Sequence, residues 1–228
     1  MRARRLPWGT LVVVAYALLL VGAAVDAWRD RDDDRAAPLR DPVAEHDEAA
    51  AADLVAAWER QRTGTYVATG TYERRRPATG AELRSEDVLA QDPPRRLHRQ
   101  LGGVTGRHDD RLVACPAPPP GAEARPCELG PPGGTTYAES VTEEVDALRA
   151  LVLGPDPLYR VTRDGEACFR LDQVRVDPRA PFGFEATFCF DAATGALVRS
   201  LVRHDSGVVE ERVVTEVRAE VTEADLTP

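Results

Sequence analysis

Residues 168–190 read CFRLDQVRVDPRAPFGFEATFCF, and this stretch decides how the second half of the chain folds. Two apolar segments flank a proline-containing turn, which is typical of a hairpin of two antiparallel strands. If Cys168 faces Cys189, the centre of the turn falls between Pro178 and Arg179. The same register collects apolar pairs on the face away from the cysteines, namely Phe169 with Phe188 and Leu171 with Ala186. One register therefore satisfies both a disulfide and a core.

The residues around this hairpin predict an antiparallel meander over the last third of the chain. Turn signals such as Asp164-Gly165 and Asp205-Ser206-Gly207 separate its apolar segments. Five strands are predicted, at residues 158–163, 166–176, 182–190, 196–204 and 208–221. In the third strand, parity places Phe184, Phe188 and Phe190 on the inward side.

Residues 44–134 predict a helix followed by strands and a loop. Residues 44–62 are Ala-rich, carry Leu54, Val55 and Trp58 on one side at helical spacing, and precede Gly64 as a C-cap. Strand patterns then begin at Thr65 and recur at residues 82–91, 96–100 and 111–114. Residues 115–134 are too rich in proline and glycine for a central strand or a helix.

A second helix is predicted after this loop. Ser140-Val141-Thr142-Glu143 matches a capping box, and Gly154-Pro155 ends the helical pattern. Val145 and Leu148 belong to its apolar stripe, which we expect to face the meander.

The four cysteines are even in number, which predicts two structural disulfides if the domain is exported, as the N-terminal residues described next indicate. The register above favours Cys168–Cys189, and Cys115–Cys127 closes the proline-rich loop locally. The alternatives are a redox motif or a zinc site, but no CxxC pair occurs and no histidine lies at ligand spacing from a cysteine. We therefore expect no metal.

The N-terminal residues 1–28 predict the cellular location and membrane topology of the chain. Arg2, Arg4 and Arg5 precede an apolar run over residues 6–25, and acidic residues follow from Asp26. About 20 apolar residues suffice for a helix to cross a bilayer, and the basic side should remain in the cytoplasm. The alternative, a signal peptide cleaved near Ala27, also exports the rest. We expect a single-pass cell-membrane protein with a charged linker at 29–43 and an extracytoplasmic domain at 44–228.

Composition and motifs exclude several functional classes. The formal net charge of −9 disfavours nucleic acid as a partner, because its phosphates would be repelled. No nucleophile-elbow, zinc-protease, phosphate-loop or dinucleotide motif occurs, so we expect neither an enzyme nor a cofactor. Within this acidic chain, basic charge gathers in the first sheet at Arg95, Arg96, Arg99, Arg107 and Arg111, with Arg74–Arg76. Of these, Arg95, Arg96 and Arg99 are the candidate contacts for an anionic head group. The alternative is that they balance nearby acidic residues.

The order of elements resembles the LolA-like superfamily of lipoprotein carriers, which includes the LppX/LprG-type lipid-binding lipoproteins. The segments that carry the resemblance are WERQRTGTYVATGTYERR (58–75), DVLAQDPPRRL (87–97) and FCFDAATGALVRSL (188–201). The resemblance implies an α+β domain in which a strongly curved antiparallel sheet, a half-barrel, packs on two helices. It also implies a cavity for acyl chains and no catalytic residues. The lipobox cysteine of the mycobacterial members is absent here.

Two non-catalytic functions follow as hypotheses, and an enzyme whose catalytic residues come from distant parts of the chain is a third, less favoured one. The first is a membrane-tethered domain that binds a lipid or another apolar ligand without catalysis. Strand parity gives its candidate apolar lining, which comprises Phe169, Leu171, Phe184, Phe188 and Phe190. The second is a protein-interaction or sensory module of the cell envelope with a filled core.

Overall fold

The computed structural model describes residues 45–108, 111–118 and 126–228. The predicted membrane helix and linker lie outside these residues. No helix in the described ranges is long and apolar enough to cross a membrane.

Helix α1 comprises Glu48–Thr63 and begins and ends with conventional caps. The Asp47 side chain accepts a hydrogen bond from the Ala50 amide at 2.9 Å, which satisfies one of the first free N–H groups. At the other end, the Gly64 amide donates to the Arg60 carbonyl at 2.8 Å. A Cβ at Gly64 would lie 2.6 Å from the Thr194 carbonyl oxygen, so this close approach requires glycine.

Helix α2 comprises Tyr137–Leu153 and starts one turn earlier than predicted. The capping box predicted at Ser140–Glu143 is wrong. Thr136 is the N-cap, its side chain accepts from the Glu139 amide, and the Glu139 carboxylate accepts from the Thr136 amide. The sequence contains two consecutive Ser/Thr-x-x-Glu patterns, at 136–139 and 140–143. A helix that starts at the first one also buries Tyr137, which has 8% exposure.

The described residues form one antiparallel sheet of 11 strands, in the order β6-β5-β4-β3-β2-β1-β11-β10-β9-β8-β7. Its first six strands are β1 Tyr66–Arg76, β2 Ala81–Asp92, β3 Arg95–Gln100, β4 Gly103–His108, β5 Arg111–Cys115 and β6 Glu128–Leu129. The remaining five are β7 Tyr159–Arg163, β8 Cys168–Gln173, β9 Glu185–Phe190, β10 Leu197–Arg203 and β11 Val209–Arg218. All five strands predicted for the meander are present within their predicted ranges. Strands β4 and β6 were not predicted, because β4 carries two glycines and β6 has only two residues.

The predicted register of β8 and β9 is present. Cys168 pairs with Cys189, Phe169 with Phe188, and Leu171 with Ala186. Both predicted disulfides, Cys168–Cys189 and Cys115–Cys127, are formed. Because Cys168 pairs with Cys189, the neighbouring residues Phe169 and Phe188 both lie on the sheet face that packs against the helices.

The main core lies between the helices and one face of strands β7–β9. We call the sheet face on which Phe188 lies the inner face. Leu54 of α1 and Leu148 and Val152 of α2 belong to one buried cluster with Phe169 and Phe188. The opposite, outer face is covered in part by residues 219–228, where Leu226 packs against Val67 and Ala90.

Candidate functional site: an arginine-lined depression

Four of the five residues predicted to line a ligand cavity lie together in the main core cluster. These are Phe169, Leu171, Phe188 and Phe190. The Trp58 ring contacts the Phe188 ring with centroids 5.3 Å apart, and the Phe182 and Phe188 centroids are 5.2 Å apart. Phe184 lies outside this cluster and is half-buried. Phe182, which was not predicted, takes the place beside Trp58, so aromatic rings pack where ligand space was expected.

The three arginines predicted to contact an anionic head group do not share a surface. Arg95 and Arg99 lie on the outer face, where they hold the C-terminal segment. Arg95 donates to the Glu223 carboxylate at 2.8 Å, and Arg99 donates to the Asp225 carbonyl oxygen at 2.9 Å. Arg96 lies on the inner face because side chains alternate along a strand. The three arginines therefore form no single cationic patch, and Arg96 is the one of them that lies on the inner face.

Arg96 instead lines a depression of about 250 Å³ on the inner face, at the β3–β5 side of the sheet. Two further arginines line it, Arg62 from the end of α1 and Arg107 from β4. Its other lining residues are Gly106, Leu112, Tyr137 and Ser140. Leu112 is 61% exposed and places an apolar side chain at the same depression.

Strand pairing brings two of the arginines together. Arg96 and Arg107 are direct partners across β3 and β4, on the same face of the sheet. A Cβ at Gly106 would lie 2.0 Å from the Arg96 carbonyl oxygen, so β4 reaches this position only with glycine. Like charges directly opposite each other across two strands destabilise a sheet. This pair is therefore unfavourable to the fold unless an anion joins it.

A buried polar network positions Arg62 and Tyr137 at the depression. The Gln91 amide donates to the carbonyl oxygens of Gln61 and Gly64, each at 2.8 Å. The Tyr137 hydroxyl donates to the Arg62 carbonyl oxygen at 2.6 Å. These bonds satisfy carbonyl groups that the end of a helix leaves free, and they fix α1 and α2 against β2. The Arg62 guanidinium lies 5.5 Å from the Tyr137 ring centroid, a cation–π distance.

The depression holds more positive than negative charge. The Arg62 Nε lies 3.0 Å from Glu144 Oε2, and Trp58 Nε1 donates to the other oxygen of Glu144 at 2.7 Å. Arg107 donates to the Thr135 carbonyl oxygen at 2.5 Å. The Arg96 Nε is buried and has no hydrogen-bond partner among the described residues. Burial and the neighbouring Arg62 charge lower the pKa of Arg96 to about 10, so it still carries its charge at neutral pH.

A second buried polar cluster lies on the inner face near β1–β3 but is internally compensated. Asp87, with 0% exposure, accepts from Gln100 at 2.9 Å, lies 2.6 Å from His98 Nε2, and forms an ion pair with Arg212. Burial opposes the ionisation of Asp87, but the His98 hydrogen bond and the Arg212 charge outweigh it and hold its pKa below the usual range. In contrast to the arginine-lined depression, this cluster pairs its charges within the chain.

A second depression, at the tip of the β1–β2 hairpin, is also basic. Two of its arginines are paired, Arg74 with Glu210 at 3.4 Å and Arg75 with Glu73 at 2.9 Å. Over the described ranges of the chain, no group of three or more His, Cys, Asp or Glu side chains could hold a metal ion. The depression around Arg96 is therefore the candidate site.

Sequence reasoning placed Arg96 and Arg107 among the basic residues of the first sheet but did not join them to Arg62. Arg62 was assigned to a helix end, and β4, in which Arg107 follows a glycine, was not predicted. The available signal was the Gly-Arg step at 106–107, since a glycine within a strand often marks a close backbone approach.

No protein-family model and no curated protein matches this chain. Among solved structures, this chain is similar to a chain of the MucA/MucB complex from Pseudomonas aeruginosa, with a TM-score of 0.44, 17% identity and 79% of this chain covered. The match spans 61% of that chain. The chain is also similar to a LolA superfamily protein from Nitrosomonas europaea, with a TM-score of 0.33, 7% identity, and coverage of 78% of this chain and 98% of that one. A DUF1329 family protein from Desulfovibrio piger gives a TM-score of 0.33 at 10% identity, with coverage of 81% and 98%.

Proposed function

We propose that this protein is a membrane-tethered, extracytoplasmic domain that binds an anionic lipid or a similar amphiphile. The depression around Arg96 binds the head group of this ligand. The observation that carries the proposal is the uncompensated charge there. Arg62, Arg96 and Arg107 converge, and Glu144 is the one carboxylate that pairs with them among the described residues. Natural sequences tolerate such local conflicts chiefly at functional sites.

The packed core supports binding by the head group rather than by enclosed acyl chains. Of the residues predicted as a cavity lining, Phe169 and Phe190 contact each other through their rings, and the Phe188 ring contacts Trp58 of α1. A ligand between them would have to displace these contacts, at a cost comparable to that of disrupting a core. The exposed Leu112 offers instead a surface contact for the apolar part of an amphiphile.

The residues of the depression support binding without a chemical step. Guanidinium groups stay protonated at neutral pH and neither accept nor release protons there. Burial raises the pKa of Tyr137, and its hydroxyl is already bonded to the Arg62 carbonyl oxygen. The residues of the depression are therefore suited to holding an anion and not to transferring a proton.

The tether and the address rest on the sequence. Arginines before and aspartates after the apolar run at residues 6–25 favour a cytoplasmic N-terminus and an exported domain. A domain held at the outer surface of the membrane would meet lipid head groups directly, which agrees with the proposed ligand.

Solvent extraction of the protein purified from its native membrane tests this function. Bound lipid is quantified by mass spectrometry for the wild type, for Arg96→Gln and for Arg99→Gln. Arg99 is a matched control because it lies on the same strand but on the outer face. We expect anionic lipid in the wild type and in Arg99→Gln, and at least a roughly tenfold loss in Arg96→Gln, the size of one charge-assisted hydrogen bond.

Neutral lipid alone, or equal lipid in all three proteins, would contradict the proposal. A clean extract from the wild type would favour the second candidate, a module that recognises a protein partner. The filled core favours that candidate specifically, because a protein partner needs no interior volume.

A further inference from the structure

The charge at the depression indicates what kind of anion it would hold. Three guanidinium groups against the carboxylate of Glu144 leave two positive charges. A carboxylate or a phosphodiester carries one negative charge, and either would leave one arginine uncompensated. A phosphomonoester carries nearly two negative charges at pH 7 and has three free oxygens.

The three arginines come from separate elements, and this arrangement indicates the shape of the anion that they can bind. Arg62, Arg96 and Arg107 come from α1, β3 and β4, three separate elements. A planar carboxylate is best held by one guanidinium in a two-pronged contact. A tetrahedral group with three oxygens can engage one guanidinium through each oxygen.

We infer that the depression binds the phosphomonoester group of its ligand, with Arg62, Arg96 and Arg107 each contacting a phosphate oxygen. This inference rests on the proposed function and narrows it to one class of head group. The phosphate could belong to a lipid or to a soluble phosphate ester. The exposed Leu112 at the depression favours the lipid.

Isothermal titration calorimetry of the full-length chain in a neutral detergent tests the phosphate chemistry. The probes are glycerol 3-phosphate as the phosphomonoester, dimethyl phosphate as the phosphodiester, and acetate. At pH 7.5 we expect glycerol 3-phosphate to bind at least about tenfold more tightly than either monoanion, the size of one added charge-assisted contact. At pH 5 this advantage should shrink several-fold, because the second phosphate pKa is about 6. Dimethyl phosphate keeps its charge across this range and reports any change in the protein itself.

Variants assign the binding to the depression. Arg96→Gln and Arg107→Gln should each weaken glycerol 3-phosphate binding by about 10- to 100-fold, whereas Arg99→Gln should leave it unchanged. Circular dichroism confirms that each variant is folded. Two independent variants keep the test decisive if one of them fails to fold.

A vesicle arm identifies the source of the phosphate. Neutral phosphatidylcholine vesicles are prepared with phosphatidic acid, a phosphomonoester lipid, or with phosphatidylglycerol, a phosphodiester lipid. Binding to the first set that glycerol 3-phosphate inhibits supports a lipid ligand. Binding of glycerol 3-phosphate without binding to these vesicles would keep the phosphomonoester site and overturn the lipid function.

Two other outcomes separate the inference from the proposed function. If all three anions bind equally at pH 7.5 and Arg96→Gln weakens each of them, the depression binds anions but the phosphomonoester inference is wrong. If no probe binds, or if Arg96→Gln changes nothing, both proposals fail.

Discussion

Replacement of Phe188 by alanine tests whether the interior between the helices and β7–β9 is packed. The Phe188 side chain is 4% exposed and lies between Trp58 and Phe182, with ring centroids at 5.3 and 5.2 Å. Its partner across the ladder with β8 is Phe169. Every one of these neighbours would lose contacts if the ring were removed.

The expected cost follows from the area that the ring buries. A buried aromatic side chain removes roughly 150–250 Å² from water, worth about 4–6 kcal/mol at about 25 cal/mol per Å² as an upper bound. Alanine retains a part of this, and measured Phe→Ala losses in cores are about 3–5 kcal/mol. We therefore expect a loss of about 3–5 kcal/mol in the free energy of unfolding, a large part of the ~5–15 kcal/mol that stabilises a typical domain.

Equilibrium urea unfolding followed by circular dichroism measures this loss, with and without prior lipid extraction. Thr187→Ala is the matched control, because Thr187 is the next residue on the same strand and points to the outer face. We expect extraction to change neither value, since the interior holds side chains rather than ligand. A loss below ~0.5 kcal/mol, as for surface substitutions, would refute the strand parity. A loss that appears only after extraction would show that lipid occupies the space beside Phe188.

Three further predictions follow from other contacts. Asp87→Asn should destabilise the domain by about 3–5 kcal/mol, because it leaves the buried Arg212 charge unpaired. The pKa of Asp87 is lower in the folded protein than in the unfolded chain, where it is about 3.9. The Asp87 carboxylate therefore stabilises the fold fully above about pH 4, and this stabilisation is lost as the pH falls through the folded-state pKa. Thermal melts of the wild type and Asp87→Asn should accordingly converge below about pH 4. Removing the Cys168–Cys189 disulfide should lower the free energy of unfolding by at least about 0.5 kcal/mol more than removing Cys115–Cys127, because the first disulfide closes the longer loop. The two cysteines are separated by 21 residues in the first case and by 12 in the second. Urea unfolding of the two double-alanine variants measures both losses, and the reverse order would contradict this prediction. Arg96→Gln should raise the free energy of unfolding by about 0.2–1 kcal/mol, because it removes the repulsion between Arg96 and Arg107 across the two strands. A variant that is less stable than the wild type in the same urea assay would contradict the inference that this arginine pair destabilises the sheet.

The meander was predictable because several local signals agree. The alternation of apolar residues, the turn residues and the two cysteines all require the register that pairs Cys168 with Cys189. A shift of one residue would have exposed Phe188 and separated the cysteines. The start of α2 was not predictable in the same way, because two consecutive capping patterns, at 136–139 and 140–143, lie at this end of the helix and the tertiary packing of Tyr137 selects the first.

The depression was not predictable, because it depends on contacts between distant segments. The alternation of side chains along β3 places Arg96 on one sheet face and Arg95 and Arg99 on the other. This alternation does not show which of the two faces the C-terminal segment covers. The approach of Arg62 depends on how α1 ends against Gln91, about 30 residues later in the chain. Arg107 required a strand with two glycines that propensity disfavours.

Hydrogen–deuterium exchange of the full-length protein, with and without phosphatidic acid vesicles, locates the ligand on the domain. We expect slower amide exchange on binding in β3, β4 and β5 and in the first turn of α2, where Arg96, Arg107 and Tyr137 lie. We expect no change in β8 and β9, whose amides lie in the packed core region. Slower exchange confined to β8 and β9 would place the ligand among Phe169 and Phe188 instead of at the arginines, and the proposed site would then be wrong.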